Sequence, residues 1–204
     1  RYTDLLCEGY NRIKAVNPSA IILSGAVAQT IANVDGARWW LTYYNMNDLA
    51  FLTRMMRAGA ADCFDILSVQ AYGLNSGAMD QRLLPTYVNV NRLAFYRDVM
   101  VRYGHEEKPI WVSEAGWNSV PDDGSVGIYG RVDEQTKGRY AAELLGRAEQ
   151  SWPYVGVVNL WYIRDLAPLN DQSYHFRFME PDFTPLESWE IVSDFTQSLE
   201  TETI

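Results

Sequence analysis

The sequence predicts an α/β fold, about half of an eight-stranded (β/α)8 TIM barrel, and three observations lead to this prediction. Four short apolar runs begin at Ala20, Phe64, Pro109 and Val155, at nearly even spacing. Helical patterns separate them, and alternating strands and helices indicate a parallel sheet with right-handed crossovers. The segments after the runs (29–47, 73–90, 118–132 and 164–183) are long and aromatic, and those before are short. Such asymmetry is typical of a barrel whose site lies at the C-terminal strand ends.

The length determines how much of a barrel the chain can supply. At about 45 residues per unit, eight units would need roughly 360 residues, within the range such barrels span. The sequence has 204 residues and contains four units after one helix. We therefore predict a single partial domain over residues 1–204, with strands 5 to 8, their helices, and a frayed tail at 200–204. Since residue 1 is Arg, we expect a fragment of a longer chain. An open doubly wound sheet competes, but no Gly-rich phosphate loop follows any run.

The first three helices are predicted from apolar residues at helical spacing. The helix before the first run has one face formed by Leu5, Leu6, Gly9, Ile13 and Val16. The helix after that run has a face formed by Phe51, Leu52, Met55 and Met56. The helix after the second run has a face formed by Tyr96, Val99, Met100 and Tyr103. Gly59 and Gly104 follow the second and third helices and indicate their C-terminal ends.

The last two helices are predicted from N-terminal signals. Asp133 is the expected N-cap of a helix whose buried face comprises Tyr140, Ala141, Leu144, Leu145 and Ala148. In the final helix Thr184 is the expected N-cap, Pro185 the first helical residue and Glu187 the partner in a capping box. Its expected buried face comprises Trp189, Val192, Phe195 and Leu199.

Composition argues against several functional classes. The net charge is −9, and no basic patch alternates with aromatic residues, so we expect no nucleic-acid partner. No apolar run approaches the ~20 residues of a membrane span. Cys7 and Cys63 show neither metal-ligand spacing nor a disulfide framework, and two histidines are too few for a histidine-rich site. We therefore predict no metal and no cofactor, and the cysteines leave the cellular compartment open.

Residues at the ends of the four runs would share one pocket, because the C-terminal ends of barrel strands converge. The candidates with useful chemistry are Gln70, Tyr72, Glu114, Trp117, Asn159 and Trp161. A retaining glycosidase needs a carboxylate nucleophile and a second carboxyl group about 5–5.5 Å away. On this hypothesis Glu114 is the nucleophile, the Tyr72 hydroxyl orients it and keeps it ionised, and Trp161 forms the floor of the sugar site.

Each candidate also has a structural explanation that the sequence leaves open. Glu114 could be a solvated residue at a strand end, Tyr72 a rim or core tyrosine, and Trp161 a core residue. Gln70 and Asn159 could simply satisfy backbone groups. The loop "RWWLTYYN" could stack on distal sugars or pack on the next helix through its four aromatic residues, Trp39, Trp40, Tyr43 and Tyr44.

Together these motifs resemble the C-terminal half of clan A glycoside hydrolases, the retaining β-glycosidase barrels that include cellulase- and xylosidase-like enzymes. The stretch "KPIWVSEAGW" from Lys108 is similar to the seventh strand of that clan, which carries the nucleophilic glutamate at the position of Glu114. The stretch "FDILSVQAYG" from Phe64 is similar to the sixth strand. Trp161 matches the tryptophan beneath the sugar, and "DFTPLESWE" is similar to the opening of the last helix. The resemblance covers essentially the whole chain.

The resemblance implies retaining hydrolysis of O-glycosidic bonds in a β-linked oligo- or polysaccharide, with Gln70, Trp117, Asn159 and Trp161 in contact with substrate. It also implies an extracellular or cell-surface location. Two departures matter. The commoner sixth-strand pattern has histidine and proline where this sequence has Gln70 and Ala71.

The second departure concerns the acid/base glutamate. In the clan it closes the fourth strand, which would precede residue 1, and no residue of this sequence matches it. The isolated chain is therefore expected to be inactive. Its expected partner is the missing N-terminal half-barrel or a second chain. The alternative is a non-catalytic carbohydrate-binding barrel or pseudoenzyme.

Overall fold

The computed structural model describes residues 1–30, 46–124, 127–166 and 171–202, which form a small parallel sheet with helices packed on it. The helices are α1 (Tyr2–Val16), α2 (Asp48–Arg57), α3 (Leu93–Arg102), α4 (Glu134–Ser151) and α5 (Glu187–Glu202). The strands are β1 (Leu67–Gln70), β2 (Ile110–Ala115) and β3 (Val155–Leu160). Strands and helices thus alternate from α2 onward, as the sequence predicted.

The three strands pair in chain order, β1–β2–β3, and all are parallel. The first predicted strand joins this sheet through two isolated bridges, Leu23 with Ile66 just before β1 and Val27 with Val69 in β1. Side chains interrupt regular pairing there: the Ser68 N–H donates to Ser24 Oγ at 3.0 Å. The predicted four-strand order is therefore present, but its first member is an irregular edge segment rather than a continuous strand.

The core lies between one face of the sheet and the helices. Val69, Ile110 and Val112 are fully buried on that face, while Trp111 and Ser113 on the other face are partly exposed. Continuous apolar runs predict strands that are covered on both faces. This holds for β1, where Leu67, Ser68 and Val69 are all buried, but not for β2 and β3 in the described structure. Alternating burial of this kind is expected of strands with one covered face.

The predicted ends of α2, α3 and α4 are confirmed. Gly59 and Gly104 have φ angles of 82° and 74°, in the left-handed region that glycine adopts without steric cost at helix C-termini. Asp133 caps α4, because its side chain accepts a hydrogen bond from the Thr136 N–H at 2.6 Å. These local signals determined the helix bounds as expected.

The start of α5 was predicted incorrectly. The helix begins at Glu187, so Thr184 is not its N-cap. Pro185 instead forms an antiparallel bridge with Met179, and the Leu186 N–H donates to the Phe178 carbonyl at 3.0 Å. These tertiary bonds hold the backbone extended through the predicted capping box. The range 200–204, expected to fray, is helical as far as Glu202.

Helix α1 departs from prediction in its packing and in its cysteine. Of its predicted apolar face, Leu5, Ile13 and Val16 are 72%, 45% and 88% exposed, while Leu6 packs against the core. Cys7 forms a disulfide with Cys63, which contradicts the expectation of no disulfide. The bond arises because α1 packs against the short helical turn Ala60–Cys63.

Candidate active site

Glu114 lies near the C-terminal end of β2 and receives two hydrogen bonds on one oxygen. Its Oε2 accepts the Tyr72 hydroxyl at 2.8 Å and the Gln70 Nε2–H at 2.8 Å. The pairing of β1 with β2 brings these groups together, since Gln70 is the partner of Glu114 in the register. Among the described residues no donor binds Oε1. The carboxylate is thus held by one oxygen, and the other has no hydrogen-bond donor among these residues.

Tyr72 is held as a hydrogen-bond donor. Its ring packs edge-on against Phe176, with 5.4 Å between ring centroids. Burial, and then the hydrogen bond to the Glu114 carboxylate, raise the pKa of Tyr72 well above its usual value. The hydroxyl therefore stays protonated throughout the pH range in which proteins normally work, and it can donate to Glu114 across that range.

Glu114, Gln70 and Tyr72 line a cleft of about 350 Å³. Trp161 lines the same cleft and is 40% exposed, and its backbone N–H donates to the Ala115 carbonyl at 2.7 Å. Its ring lies edge-on to the ring of Tyr162, with 5.1 Å between the ring centroids. Four of the six predicted site residues are therefore brought together. Among the described residues that line the cleft, Glu114 supplies the one carboxylate.

Trp117 and Asn159 lie elsewhere, which corrects their predicted placement. Trp117 is fully buried, and its Nε1–H donates to the Ser76 carbonyl at 2.7 Å. The backbone turns after β2, so this indole enters the core beside Gly73 rather than the cleft. The Asn159 Nδ2–H donates to the Val112 carbonyl at 3.0 Å, so its amide satisfies a backbone group of the neighbouring strand.

Sequence reasoning missed several residues that line the cleft. These are Gln29, Leu74, Val88, Tyr129, Ser173 and Phe176. Tyr129 and Phe176 lie on different loops, and their ring centroids are 5.8 Å apart. No periodic signal marks loop residues of this kind, although the long loops after the strands indicated where to look. The aromatic residues of "RWWLTYYN", which could stack on distal sugars or pack on the next helix, fall outside the described residues: Trp39, Trp40, Tyr43 and Tyr44.

Two further properties bear on the class of site. Within the described ranges, no group of three or more His, Cys, Asp or Glu side chains is arranged to hold a metal ion. No helix in the same ranges is long and apolar enough to cross a membrane.

Comparison with known proteins relates the fold to glycoside hydrolases. No protein-family model and no curated protein matches the sequence. A family 39 glycoside hydrolase from Bacteroides cellulosilyticus WH2 superposes with a TM-score of 0.61 at 19% identity, over 95% of this chain and 36% of that one. A glucosidase from Croceicoccus marinus superposes with a TM-score of 0.61 at 16% identity, over 95% of this chain and 35% of that one. For a GH128 exo-β-1,3-glucanase from Aureobasidium namibiae the TM-score is 0.55 at 14% identity, over 93% of this chain and 61% of that one.

These structural neighbours are clan A glycoside hydrolases with barrel folds. They confirm the predicted fold, a partial (β/α)8 barrel, and at these identities the likeness concerns the fold. The chain spans about a third of the length of the first two neighbours.

Proposed function

We propose that this chain supplies the nucleophile half of a retaining β-glycoside hydrolase. The observation that carries the proposal is the Glu114 carboxylate, held on one oxygen by two donors within a cleft that also contains an exposed tryptophan. A side chain fixed in this way is already oriented before substrate arrives, which lowers the barrier to attack. The glycoside hydrolase neighbours support the same class of reaction.

In the proposed mechanism, Glu114 Oε1 attacks the anomeric carbon of a β-linked sugar while the bond to the leaving oxygen breaks. The product of this step is a covalent glycosyl–enzyme ester, which water then hydrolyses to regenerate the carboxylate. Tyr72 and Gln70 hold Oε2 throughout. The exposed face of Trp161 packs against the C–H groups of the sugar ring.

The second carboxyl group is proposed to come from outside this sequence. A retaining enzyme needs an acid to protonate the leaving oxygen and then a base to activate water. The described residues that line the cleft offer no second carboxylate beside Glu114. We place the acid/base glutamate on a strand upstream of residue 1, so the isolated 204-residue chain is expected to be inactive.

The partner proposed to supply this strand is an N-terminal half-barrel or a second chain. Exposed apolar residues lie at the first edge of the structure, on α1 and the segment after it: Leu5, Ile13, Val16 and Ile21. Others follow β3 at the opposite edge: Ile163, Leu166 and Phe183. Exposed apolar surface beside open strand edges favours pairing with further polypeptide.

An extracellular or cell-surface location remains our expectation, and the Cys7–Cys63 disulfide supports it. Structural disulfides form and persist mainly in oxidising compartments. The substrate would then be an oligo- or polysaccharide met outside the cell.

The alternative is a barrel that binds carbohydrate without cleaving it. The single carboxylate among the described cleft residues favours this alternative, because the aromatic floor could be kept without acid chemistry. It differs from the enzyme in one respect that can be measured: it binds saccharide in the absence of turnover.

The test is Glu114→Gln in a chain completed through the fourth strand. We expect turnover of an aryl β-glycoside to fall by several orders of magnitude, since the amide is a poor nucleophile, while the fold is retained. Glu107→Gln is the matched control, because Glu107 is an exposed residue whose side chain lies 3.8 Å from His105 rather than in the cleft. Retained activity in Glu114→Gln would refute the assignment. Saccharide binding without turnover in the unmutated, completed chain would favour the alternative.

A further inference from the structure

Gln29 lies where the pairing between the edge segment and β1 ends. The Val27 N–H donates to the Ser68 carbonyl, and the Gln70 N–H donates to the Val27 carbonyl, both at 3.0 Å. If the regular parallel ladder continued past β1, the next donor, the Tyr72 N–H, would bind the Gln29 carbonyl. It binds the Gln29 side chain instead, at 2.5 Å from Oε1. The side-chain amide therefore extends the ladder by one bond.

The other end of the same amide is also occupied. Gln29 Nε2–H donates to the Asn89 carbonyl at 2.9 Å. Asn89 is only 2% exposed, and its own side chain donates to the Arg82 carbonyl at 3.0 Å. The orientation of the Gln29 amide is unambiguous, because an N–H must meet its oxygen and a carbonyl must meet its NH₂ group. Glutamine satisfies both partners, whereas glutamate can satisfy only the first.

These bonds fix the backbone from which the Tyr72 ring projects. On one side the Ala71 N–H donates to the Glu114 carbonyl at 2.8 Å. On the other side Gln29 holds the Tyr72 N–H. The chain has left regular pairing at this point, so without Gln29 nothing in the described ladder would hold the Tyr72 peptide group.

We propose that Gln29 is a positioning residue that acts on Glu114 through Tyr72. It fixes the Tyr72 backbone so that the hydroxyl meets Glu114 Oε2 and leaves Oε1 available, and the catalytic value of this arrangement depends on the proposed function. A role limited to satisfying two backbone groups would stabilise the loop, but it would not change the hydrogen bond between Tyr72 and Glu114.

The test is an NMR experiment on the 204-residue chain labelled with ¹³Cζ-tyrosine. The Tyr72 resonance, identified by its loss in Tyr72→Phe, reports the bond to the carboxylate, and Glu114→Gln gives the displacement caused by removing the charged acceptor. We expect Gln29→Met to move the resonance in the same direction by at least half that displacement. Gln197→Met, the same substitution at an exposed position of α5, is the control and should leave it in place.

A second variant keeps the result decisive if Gln29→Met fails to fold. Gln29→Glu retains an oxygen facing the Tyr72 N–H, so the Tyr72 resonance should lie closer to its wild-type position than in Glu114→Gln. The proposal is overturned if Gln29→Met moves the resonance no more than Gln197→Met does. It is also overturned if Gln29→Glu displaces it as far as Glu114→Gln. None of these NMR measurements requires enzymatic turnover, so their outcome is independent of the test of the proposed function.

Discussion

Reduction of the Cys7–Cys63 disulfide is expected to lower the free energy of unfolding substantially. The bond joins α1 to the turn before β1 across a sequence separation of 56 residues. In the chain-entropy account of cross-links, closing a loop of this size restricts the unfolded chain by about 4 kcal/mol at 25 °C. That is a large part of the 5–15 kcal/mol by which native domains are typically stable.

The assay is urea unfolding followed by tryptophan fluorescence, with and without a phosphine reductant. The oxidised chain should unfold at a markedly higher midpoint than the reduced chain. Cys7→Ser/Cys63→Ser is the control, and its midpoint should match the reduced wild type and be insensitive to reductant. An unchanged midpoint on verified reduction would refute the reasoning, since it would mean that the bond does not restrict the unfolded chain relative to the folded one.

Two further predictions concern the core. Gly73→Ala should lower the free energy of unfolding by about 1–3 kcal/mol, because a Cβ there would lie 2.1 Å from Nε1 of the buried Trp117. Gly9→Ala is the control for the same urea assay, and it should not destabilise the chain because a Cβ at Gly9 has no atom within 4 Å. Equal losses of stability in the two variants would contradict the packing argument. Burial lowers the pKa of Lys137 from 10.5 to about 8, so the unfolded chain binds more protons between about pH 8 and 10, and stability should rise there by at most about 1.4 kcal/mol per pH unit. In Lys137→Met the free energy of unfolding should not rise over this pH range. Equal slopes of stability against pH in the variant and the wild type would contradict the prediction.

The fold could be predicted from the sequence where its determinants are local. Each strand is a compact apolar run, and the glycines at 59 and 104 end helices whatever surrounds them. The capping box at Thr184 is also a local signal, yet it does not form, because Pro185 and Leu186 pair with another part of the chain instead. Local signals thus predict elements until another part of the chain offers the same backbone groups a better partner.

The candidate site could be predicted in part for a similar reason. Neighbouring parallel strands bring Gln70 and Glu114 together, and Tyr72 follows on the same face, so strand order alone places these three side chains at one edge. The two tryptophans show the limit. Trp117 and Trp161 both follow strands, but only Trp161 lies in the cleft, because the backbone turns before Trp117. The disulfide and the loop aromatics depend on contacts between distant segments, which no spacing in the sequence encodes.

The geometry of Glu114 shows which part of the proposed chemistry this chain determines by itself. Both donors to Oε2 come from β1 and the residues just after it, and the neighbouring tryptophan is bonded to β2. The arrangement of the proposed nucleophile therefore depends on pairing among β1, β2 and β3, all of which are present. What a barrel partner would add is a second carboxyl group on the uncovered face of the sheet. The hydrogen bonds on Glu114 should accordingly be measurable in the 204-residue chain before any activity is, and catalysis should require the partner.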